Sequence, residues 1–350
     1  MKNFKKLSQM MFALAMGSLL MISCKKDDET VLIKPMEGNI VEVAAGNADF
    51  SILVEAVKRA GLVDVLSAAG TYTVFAPTND AFADLLTELG ATSLEDIPVE
   101  TLKSVLLYHV LGIKVPSTSV ATGYVPTSAD GVAGNKLSLY IEKTGSSVKL
   151  NNRSNVTAVD ISASNGVIHV IDKVLLPNDV VGTALANSNF SILVQAVVKA
   201  DLVDALKGLK EATLFAPTND AFVSLLGELG FASLDDVPVA TLKNILLYHV
   251  VGAPVKAADV STGYASTLSP APNSKTVSLF LEKNGSAVKI DNRASVVVTD
   301  VISSNVIIHA IDKVILPGKI VQMAINDPSF SSLVAAVVYA DLVDALNGDG

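Results

Sequence analysis

The sequence predicts an α+β fold that is repeated in tandem along the chain. The ten residues TVFAPTNDAF, from Thr73 to Phe82, return with one difference as TLFAPTNDAF, from Thr213 to Phe222. Other pairs return at the same spacing of 140 residues, among them Tyr108-His109 as Tyr248-His249. Within each repeat, helical patterns come first and alternating strands follow, an order that favours an α+β fold over a doubly wound sheet.

The repeated ten-residue motif indicates a strand that turns directly into a helix. The residues from Thr71 to Phe75 are β-branched or aromatic, and Pro77 should end the strand that they form. Thr78 lies where a helix N-cap belongs, and Asp80 lies in the first turn, where the helix dipole favours negative charge. We interpret this polar trio as helix-capping residues, the alternative being a ligand site; its two copies are Thr78, Asn79 and Asp80, and Thr218, Asn219 and Asp220.

The other elements of the first repeat follow from periodicity and turn residues. Ser93 and Asp96 form a capping-box pattern. Pro98 should then begin a helix, because proline is favoured at the first helical position. Apolar periodicity predicts three helices before the motif, over residues 39–45, 49–57 and 62–66. Alternation and turn residues predict strands over residues 136–143, 148–150, 156–161 and 166–176.

A third copy of the opening helices begins at Lys319. The sequence stops at Gly350, before the central strand of that copy. A module without its sheet cannot close its core, so we read the chain as part of a longer array. We expect residues 319–350 to pack as isolated helices or to fray.

The first residues have the pattern of an export signal. A basic start is followed by an apolar run of 13 residues from Met10 to Ile22, which is too short to span a bilayer. Ser23 then precedes Cys24, the only cysteine in the sequence. The pattern resembles a bacterial lipoprotein signal, in which the cysteine is lipidated, although Met21 stands where leucine is usual. The alternative is a plain secretory signal with an incidental cysteine.

The residues after Cys24 suggest where the protein is exported. Lys25-Lys26-Asp27-Asp28-Glu29 is similar to the surface-export signal of Bacteroidota lipoproteins, and it could also be an ordinary solvated tether. Loss of the leader with its three lysines would take the net charge from −9 to −12. An acidic body of this kind argues against nucleic acid and anionic lipid as partners, so we expect membrane contact through the lipid anchor only.

The four histidines are the main candidates for chemistry, and each lies in a repeated motif. His169 alternates with apolar residues on a predicted strand, and its copy is His309. A histidine with Asp80 or Asp172 could form a catalytic or metal pair, whereas Asp172 and its copy Asp312 also belong to the repeated motifs as structural residues. A buried, hydrogen-bonded structural role fits the apolar surroundings better. The sequence has no nucleophile elbow, second cysteine or phosphate-binding glycine loop, so we expect no enzyme activity, cofactor or metal.

Three motifs in order make the chain similar to the fasciclin domain, also called the beta-Ig-h3 domain. They are TVFAPTNDAF, LLYHVL (106–111) and NGVIHVIDKVLLP (165–177), and the second repeat carries TLFAPTNDAF, LLYHVV (246–251) and NVIIHAIDKVILP (305–317). The resemblance implies a wedge of strands beside a bundle of short helices, and an extracellular protein that acts in adhesion. Asn305-Val306 departs from the usual Asn-Gly and should alter that turn.

The resemblance also implies a face that could bind a partner. In vertebrate relatives, integrin recognition has been attached to the Tyr-His segment and to a nearby Asp-Ile dipeptide. The matching residues here are Asp96, Ile97, Tyr108, His109, Asp236, Tyr248 and His249, with Val237 in place of the second isoleucine. The same residues could serve only the fold.

We therefore expect a non-catalytic, surface-anchored lipoprotein of the outer membrane. Its partner would be an extracellular protein or a polysaccharide, and the alternative function is capture of a glycan or small molecule. The expected segments are a signal peptide (1–23), a tether (24–37), two fasciclin-like domains (38–177 and 178–317) and the start of a third (318–350).

Overall fold

The computed structural model describes residues 38–271 and 273–348. The expected leader, lipidation site and tether lie outside the described residues. The elements from Ile40 to Ile171 form one α+β module, those from Val180 to Ile311 form a second with the same order of helices and strands, and those from Ile320 to Leu346 form a short third segment. We call these module 1, module 2 and the third segment. Among the residues described, no helix has the length and apolar character needed to cross a membrane.

Five short helices surround one side of the sheet in module 1. They are α1 (Ile40–Ala45), α2 (Ser51–Arg59), α3 (Val63–Ser67), α4 (Asn79–Leu89) and α5 (Val99–Tyr108). The seven strands are β1 (Tyr72–Pro77), β2 (Val110–Leu111), β3 (Gly123–Asp130), β4 (Lys136–Thr144), β5 (Ser147–Leu150), β6 (Ser154–Ala163) and β7 (Gly166–Ile171). Their order in the sheet is β2-β1-β7-β6-β5-β4-β3, and β1 and β7 run parallel.

Module 2 repeats this architecture. Its helices are α6 (Val180–Leu185), α7 (Ser191–Lys199), α8 (Val203–Lys207), α9 (Asn219–Leu229) and α10 (Val239–Tyr248). Its strands are β8 (Ala212–Pro217), β9 (Val250–Val251), β10 (Gly263–Ala271), β11 (Lys275–Asn284), β12 (Ala287–Ile290), β13 (Ala294–Ile302) and β14 (Val306–Ile311). A bridge between Thr267 and Val251 closes the sheet into a barrel. The predicted α+β fold is confirmed.

Each module has two apolar cores. They lie on the two faces of one strand, which is β1 in module 1 and β8 in module 2. Val74 and Ala76 on β1 pack with the helices, whereas Phe75 between them packs inside the curved sheet. This division follows from the alternation of side chains along a strand. The last turn of α5 lies between the two cores, because Leu106 packs with the helices and Tyr108 with the sheet.

β1 ends at Pro77, as the sequence predicts, and Pro77 lies opposite Ile171 of β7. Other strand boundaries differ from those predicted. β7 ends at Ile171 and not at Leu176. After Ile171, backbone N–H groups donate to side chains and not to a neighbouring strand. The Lys173 N–H donates to the Ser154 hydroxyl, and the Leu175 N–H donates to His109. β3 was not predicted, because its sequence GYVPTSAD has the composition of a turn.

The third segment forms the helices α11 (Ile320–Asn326), α12 (Ser331–Tyr339) and α13 (Val343–Leu346). α11 buries Val321 and Asn326, whereas none of the residues of α12 or α13 is buried. The segment contacts module 2 through a hydrogen bond of 2.8 Å from the Tyr264 hydroxyl to Asp327. That this segment packs as isolated helices or frays stays a prediction.

Candidate functional site

The polar trio at the start of α4 serves the fold in three different ways. The Thr78 hydroxyl accepts from the Ala81 N–H over 3.3 Å, as an N-cap does. Asn79 does not cap this helix: its Oδ1 accepts from the Ile52 N–H at 3.0 Å, and its Nδ2 donates to the Ala48 carbonyl at 2.9 Å. Asp80 is exposed in the first turn. The capping interpretation is therefore wrong for Asn79, which joins α4 to the start of α2.

The same contacts recur in module 2. Thr218 accepts from the Ala221 N–H, and Asn219 accepts from the Ile192 N–H at 2.9 Å while it donates to the Ser188 carbonyl. Asp220 again lies exposed in the first turn. The side-chain oxygen and nitrogen of both Asn79 and Asn219 thus form hydrogen bonds within their own module.

Tyr108 and His109 are buried, with 0% and 2% of their surfaces exposed. His109 Nδ1 lies 2.7 Å from the Val105 carbonyl, and His109 Nε2 lies 2.9 Å from the Leu175 nitrogen. Since a carbonyl can only accept and an N–H can only donate, the ring is neutral, with its proton on Nδ1. Burial lowers the pKa of His109 to about 4. His249 has the same contacts with Ile245 and Ile315, and burial lowers its pKa to about 4 as well.

The tyrosine beside each histidine connects the end of a helix to the sheet of its module. The Tyr108 hydroxyl donates to the Ser138 carbonyl at 2.9 Å and accepts from Asn151 at 2.8 Å. Burial raises the pKa of Tyr108 to about 12. In module 2, Asp291 stands in place of Asn151, and the Tyr248 hydroxyl donates to the Asp291 carboxylate at 2.8 Å. Burial raises the pKa of Asp291.

The Asp-Ile dipeptide is divided between surface and core. The Asp96 carboxylate accepts from the Thr92 N–H at 2.7 Å and the Ser93 N–H at 3.1 Å, and the hydrogen bonds from Thr92 lower its pKa. Ile97 is buried, as is Val237 in module 2. Asp236 repeats the role of Asp96 by accepting from the Ala232 and Ser233 N–H groups.

These positions revise the partner-binding face that the resemblance suggested. The resemblance implies seven residues that could contact a partner, yet the tyrosine rings and the imidazoles among them are buried in the folded modules. The folded surface exposes Asp96 and Asp236, whereas the side chains of Tyr108, His109, Tyr248 and His249 are buried.

His169 belongs to a cluster that the sequence did not predict. Its Nε2 donates to the Val115 carbonyl at 2.9 Å, and its Nδ1 accepts from the Asp160 N–H at 3.3 Å. The Asp160 carboxylate in turn accepts from both the N–H and the hydroxyl of Ser117. Asp160 has a positive φ of 61°, at an irregularity in the pairing of β6 with β7.

A serine, an aspartate and a histidine thus meet, but they do not have the arrangement of a catalytic triad. In a triad the serine hydroxyl donates to the histidine, whereas here the Ser117 hydroxyl donates to Asp160 and both ring nitrogens of His169 bind backbone groups. Module 2 keeps His309 and Asp300 but has Ala257 in place of the serine. The recurrence of an aspartate at 160 and 300, within β-branched runs, is the sequence signal that could have revealed this cluster.

Asp172 and Asp312 hold the ends of β7 and β14. Asp172 accepts from the Asn155 N–H at 2.7 Å, from the Asn155 side chain at 2.7 Å and from the Ser154 hydroxyl at 3.0 Å. Burial raises the pKa of Asp172, but these hydrogen bonds outweigh burial, so that the pKa lies below its usual value. Asp312 accepts from the Ser295 N–H at 2.7 Å.

Each module has a small apolar cavity beside its first helices. A cavity of about 30 Å³ lies between the first two helices and the sheet of module 1, lined by Ile40, Val54 and Ile168 among others. The equivalent cavity in module 2 has about 20 Å³. Both are far below the roughly 150 Å³ that admits a benzene-sized ligand, so neither could hold a sugar ring.

These contacts define the chain as a tandem array of α+β modules whose buried polar residues hold the fold together. Comparison with known proteins shows which domain family these modules belong to. The fasciclin domain model matches residues 48–177 and 188–317, so the chain belongs to the fasciclin domain family. The resemblance found in the sequence is therefore confirmed.

Relatives of the chain come from bacteria and animals. Protein sll1483 of Synechocystis sp. is 42% identical over 170 residues, which are 47% of this chain and 91% of that protein. Transforming growth factor-beta-induced protein ig-h3 of Sus scrofa is 27% identical over 91% of this chain and 44% of its own length. Human periostin is 27% identical over 83% of this chain and 34% of its own length. The chain thus spans less than half of these two animal proteins.

Among solved structures, a FAS1 domain pair from the insect cell adhesion molecule Fasciclin I is similar to this chain. The match has a TM-score of 0.45 and 19% sequence identity, and it covers 75% of this chain and 95% of that chain.

Proposed function

We propose that this protein is a non-catalytic adhesion protein, anchored in the outer membrane and exposed on the cell surface. The observation that carries the proposal is the tandem pair of fasciclin domains, in which the repeated histidines bind backbone groups of their own module. The polar motifs are then explained by the fold, and binding falls to the outer surfaces of the modules. The partner would be an extracellular protein or a polysaccharide.

The anchor is the second part of the proposal. Cys24 follows a basic start and an apolar run of 13 residues, the pattern of a lipoprotein signal. A diacylated cysteine would hold the acidic modules at the membrane without any contact between the modules and anionic lipid. Lys25 to Glu29 supports export to the outer face.

Repetition would strengthen binding. A single module surface that binds weakly gains affinity when linked copies meet several sites on one fibre or cell, because the second contact becomes intramolecular. An array of this kind suits attachment to a repetitive polymer or matrix. It also predicts that a single module in isolation attaches far less than the whole chain.

An attachment assay tests the adhesive role. Cells that lack the protein should attach less to neighbouring cells, to matrix or to polysaccharide, and the full chain should restore attachment. The Cys24→Ser variant should leave the modules folded but fail to restore it, because the protein is no longer held at the cell. Attachment that is unchanged on every surface after deletion would contradict the proposal.

Protease treatment of intact cells tests the location separately. A surface-exposed chain is cleaved on intact cells, whereas a chain that faces the periplasm is cleaved only after the outer membrane is opened. Incorporation of a labelled fatty acid into the wild type, and its loss in Cys24→Ser, would identify the lipidated residue. Capture of a glycan, the alternative function, would instead give a tight response to a single sugar on a glycan array.

A further inference from the structure

Modules 1 and 2 touch at a surface beside the segment that connects them, where the Ser304 N–H donates to the Asn178 carbonyl at 2.9 Å. The loop between β3 and β4 of module 1 lies against the turn between β13 and β14 of module 2. The Val132 N–H donates to the Ser303 carbonyl at 3.1 Å, and the Ile302 N–H donates to the Ser138 hydroxyl at 3.0 Å. Two backbone N–H groups, one from each module, are thus satisfied by the other module.

The same surface has a small apolar core of its own. Val132 of module 1 packs with Ile302 and Ile307 of module 2, and their exposed fractions are 4%, 5% and 1%. This cluster is separate from the cores inside the modules. It therefore buries apolar surface that stays in water unless the two modules are in contact.

Gly131 permits this close approach. Its φ of −119° is one that any residue can adopt, so conformational freedom does not explain a glycine here. A Cβ atom at this position would lie 2.8 Å from the Ser303 carbonyl oxygen and 2.6 Å from Leu137 Cδ2. A side chain would push the loop away from module 2.

A second contact lies near the connection between the modules. The Asn187 amide donates to the Tyr124 hydroxyl at 3.2 Å, and Tyr124 packs against the core of module 2. The connecting chain is short, because Leu175 is buried in module 1 and Val180 is buried in module 2. The two modules are thus joined by the contact of Tyr124 with Asn187 and by a short connecting chain, in addition to the contact of Val132 and Ser138 with the turn of module 2.

Only part of this arrangement recurs after module 2. Tyr264 and Asp327 repeat the contact of Tyr124 with Asn187. However, Ala271 and Pro272 stand where module 1 has Gly131 and Val132. Proline has no N–H to donate, and alanine carries the Cβ atom that the close approach excludes.

We propose that modules 1 and 2 form one rigid pair, locked by the contact of residues 131–138, which are the loop before β4 and the start of β4, with residues 302–307 at the turn between β13 and β14. Modules in a chain ordinarily move relative to one another unless their interface restrains them. Here the hydrogen bonds across the interface, its apolar cluster and the contact of Tyr124 with Asn187 restrain that motion. The pair is then the unit that presents binding faces at a fixed spacing, a property that goes beyond adhesion itself.

Distances between spin labels test the rigid pair directly in the mature full-length chain. Labels on cysteines at Ser146 and Ser286, the equivalent hairpin turns of the two modules, would be measured after Cys24→Ser removes the native thiol. We expect one narrow distance distribution for the otherwise wild-type chain. Gly131→Val should broaden it, and Gly112→Ala should not, because a Cβ at Gly112 has no neighbour within 4 Å. A broad distribution before any change at Gly131 would overturn the proposal.

A milder pair of variants covers the case in which Gly131→Val does not fold. Ser138→Ala removes the hydroxyl that accepts from Ile302, whereas Ser278→Ala makes the same change at the equivalent position of module 2. Exchange of the Ile302 amide hydrogen should become roughly tenfold faster in Ser138→Ala and stay unchanged in Ser278→Ala. Equal exchange in both variants would contradict the locked contact. Because neither measurement depends on attachment, failure here leaves the adhesive role untouched, and the reverse also holds.

Discussion

The Leu175 N–H donates to His109 Nε2 over 2.9 Å, and 66 residues separate the two partners. The bond holds the chain that leaves module 1 against the last turn of α5. Ile315 and His249 repeat it in module 2 at 3.1 Å. Each histidine thus fastens the exit of its module to the helical layer, and it can do so only as a neutral ring, because a protonated Nε2 cannot accept.

This requirement predicts a loss of stability in mild acid. The pKa of His109 and of His249 is about 4 in the folded chain, against about 6.5 in an unfolded chain. Below pH 6.5 the unfolded state therefore binds more protons, and stability falls with pH until it levels near pH 4. At pH 4.5 the loss should be roughly 2–3 kcal/mol per histidine, measured by denaturant unfolding at pH 7.5 and 4.5.

The variant His109→Gln isolates this effect. Glutamine has a donor and an acceptor but does not titrate, so module 1 should lose stability at pH 7.5 and lose most of its pH dependence. Asp96, Asp160 and Asp172 should not reduce stability over the same pH range as the histidines. Their pKa values lie below the usual range, so these carboxylates lose their hydrogen bonds only at lower pH. A pH dependence equal to that of the wild type would rule out His109 as its source.

Asn79 and Asp80 are neighbours in sequence whose replacement should have very different effects. Asn79→Ala leaves the Ile52 N–H and the Ala48 carbonyl without their partner, which should reduce the free energy of unfolding of module 1 by about 2–3 kcal/mol. Asp80→Ala removes an exposed charge in the first turn and should cost only about 0.3–1 kcal/mol. Thermal and denaturant unfolding would measure both. If the two variants lost equal stability, the result would contradict the stabilising role of the hydrogen bonds that Asn79 forms with Ile52 and Ala48.

The sequence predicts local features of this fold well, because they depend on neighbours within a few residues. The strand and helix around Thr78 and the capping box of Ser93 with Asp96 are of this kind. The turn at Asn305 shows the limit of such reasoning. Val306 replaces the usual glycine, yet the Asn305 side chain still accepts from the Val180 N–H and donates to the Leu206 carbonyl, as Asn165 does with Ile40 and Leu66.

Contacts between distant residues could not be predicted from periodicity. Asn79 binds residues 27 and 31 positions away, and Ser138 binds Ile302 across 164 positions. A repeat pattern shows which face of an element is apolar, but it does not show which other element covers that face. For the same reason the cluster of Ser117, Asp160 and His169 became visible only in the structure.

That cluster yields a prediction about chemistry. Ser117→Ala gives module 1 the residue that module 2 already carries at Ala257, so it should lower stability by at most about 1 kcal/mol. Asp160→Ala should cost about 2 kcal/mol, because it leaves the Ser117 N–H unpaired and puts alanine at a φ of 61°. Any hydrolysis of a general ester substrate should be the same in wild type and Ser117→Ala. A loss of hydrolysis confined to the serine variant would identify Ser117 as a nucleophile.

Two glycines of α9 should respond in opposite directions to alanine. Gly227 lies inside the helix, where a Cβ would meet no atom within 4 Å, and module 1 has Thr87 at the equivalent position. Gly227→Ala should therefore stabilise module 2 by about 0.5–1 kcal/mol, because alanine loses less backbone entropy on folding. Gly230 ends the same helix at a φ of +71°, a left-handed conformation that costs alanine about 1 kcal/mol or more. Denaturant unfolding of the two single variants should move the midpoint up for Gly227→Ala and down for Gly230→Ala, and a shift of both in one direction would contradict the assigned end of α9.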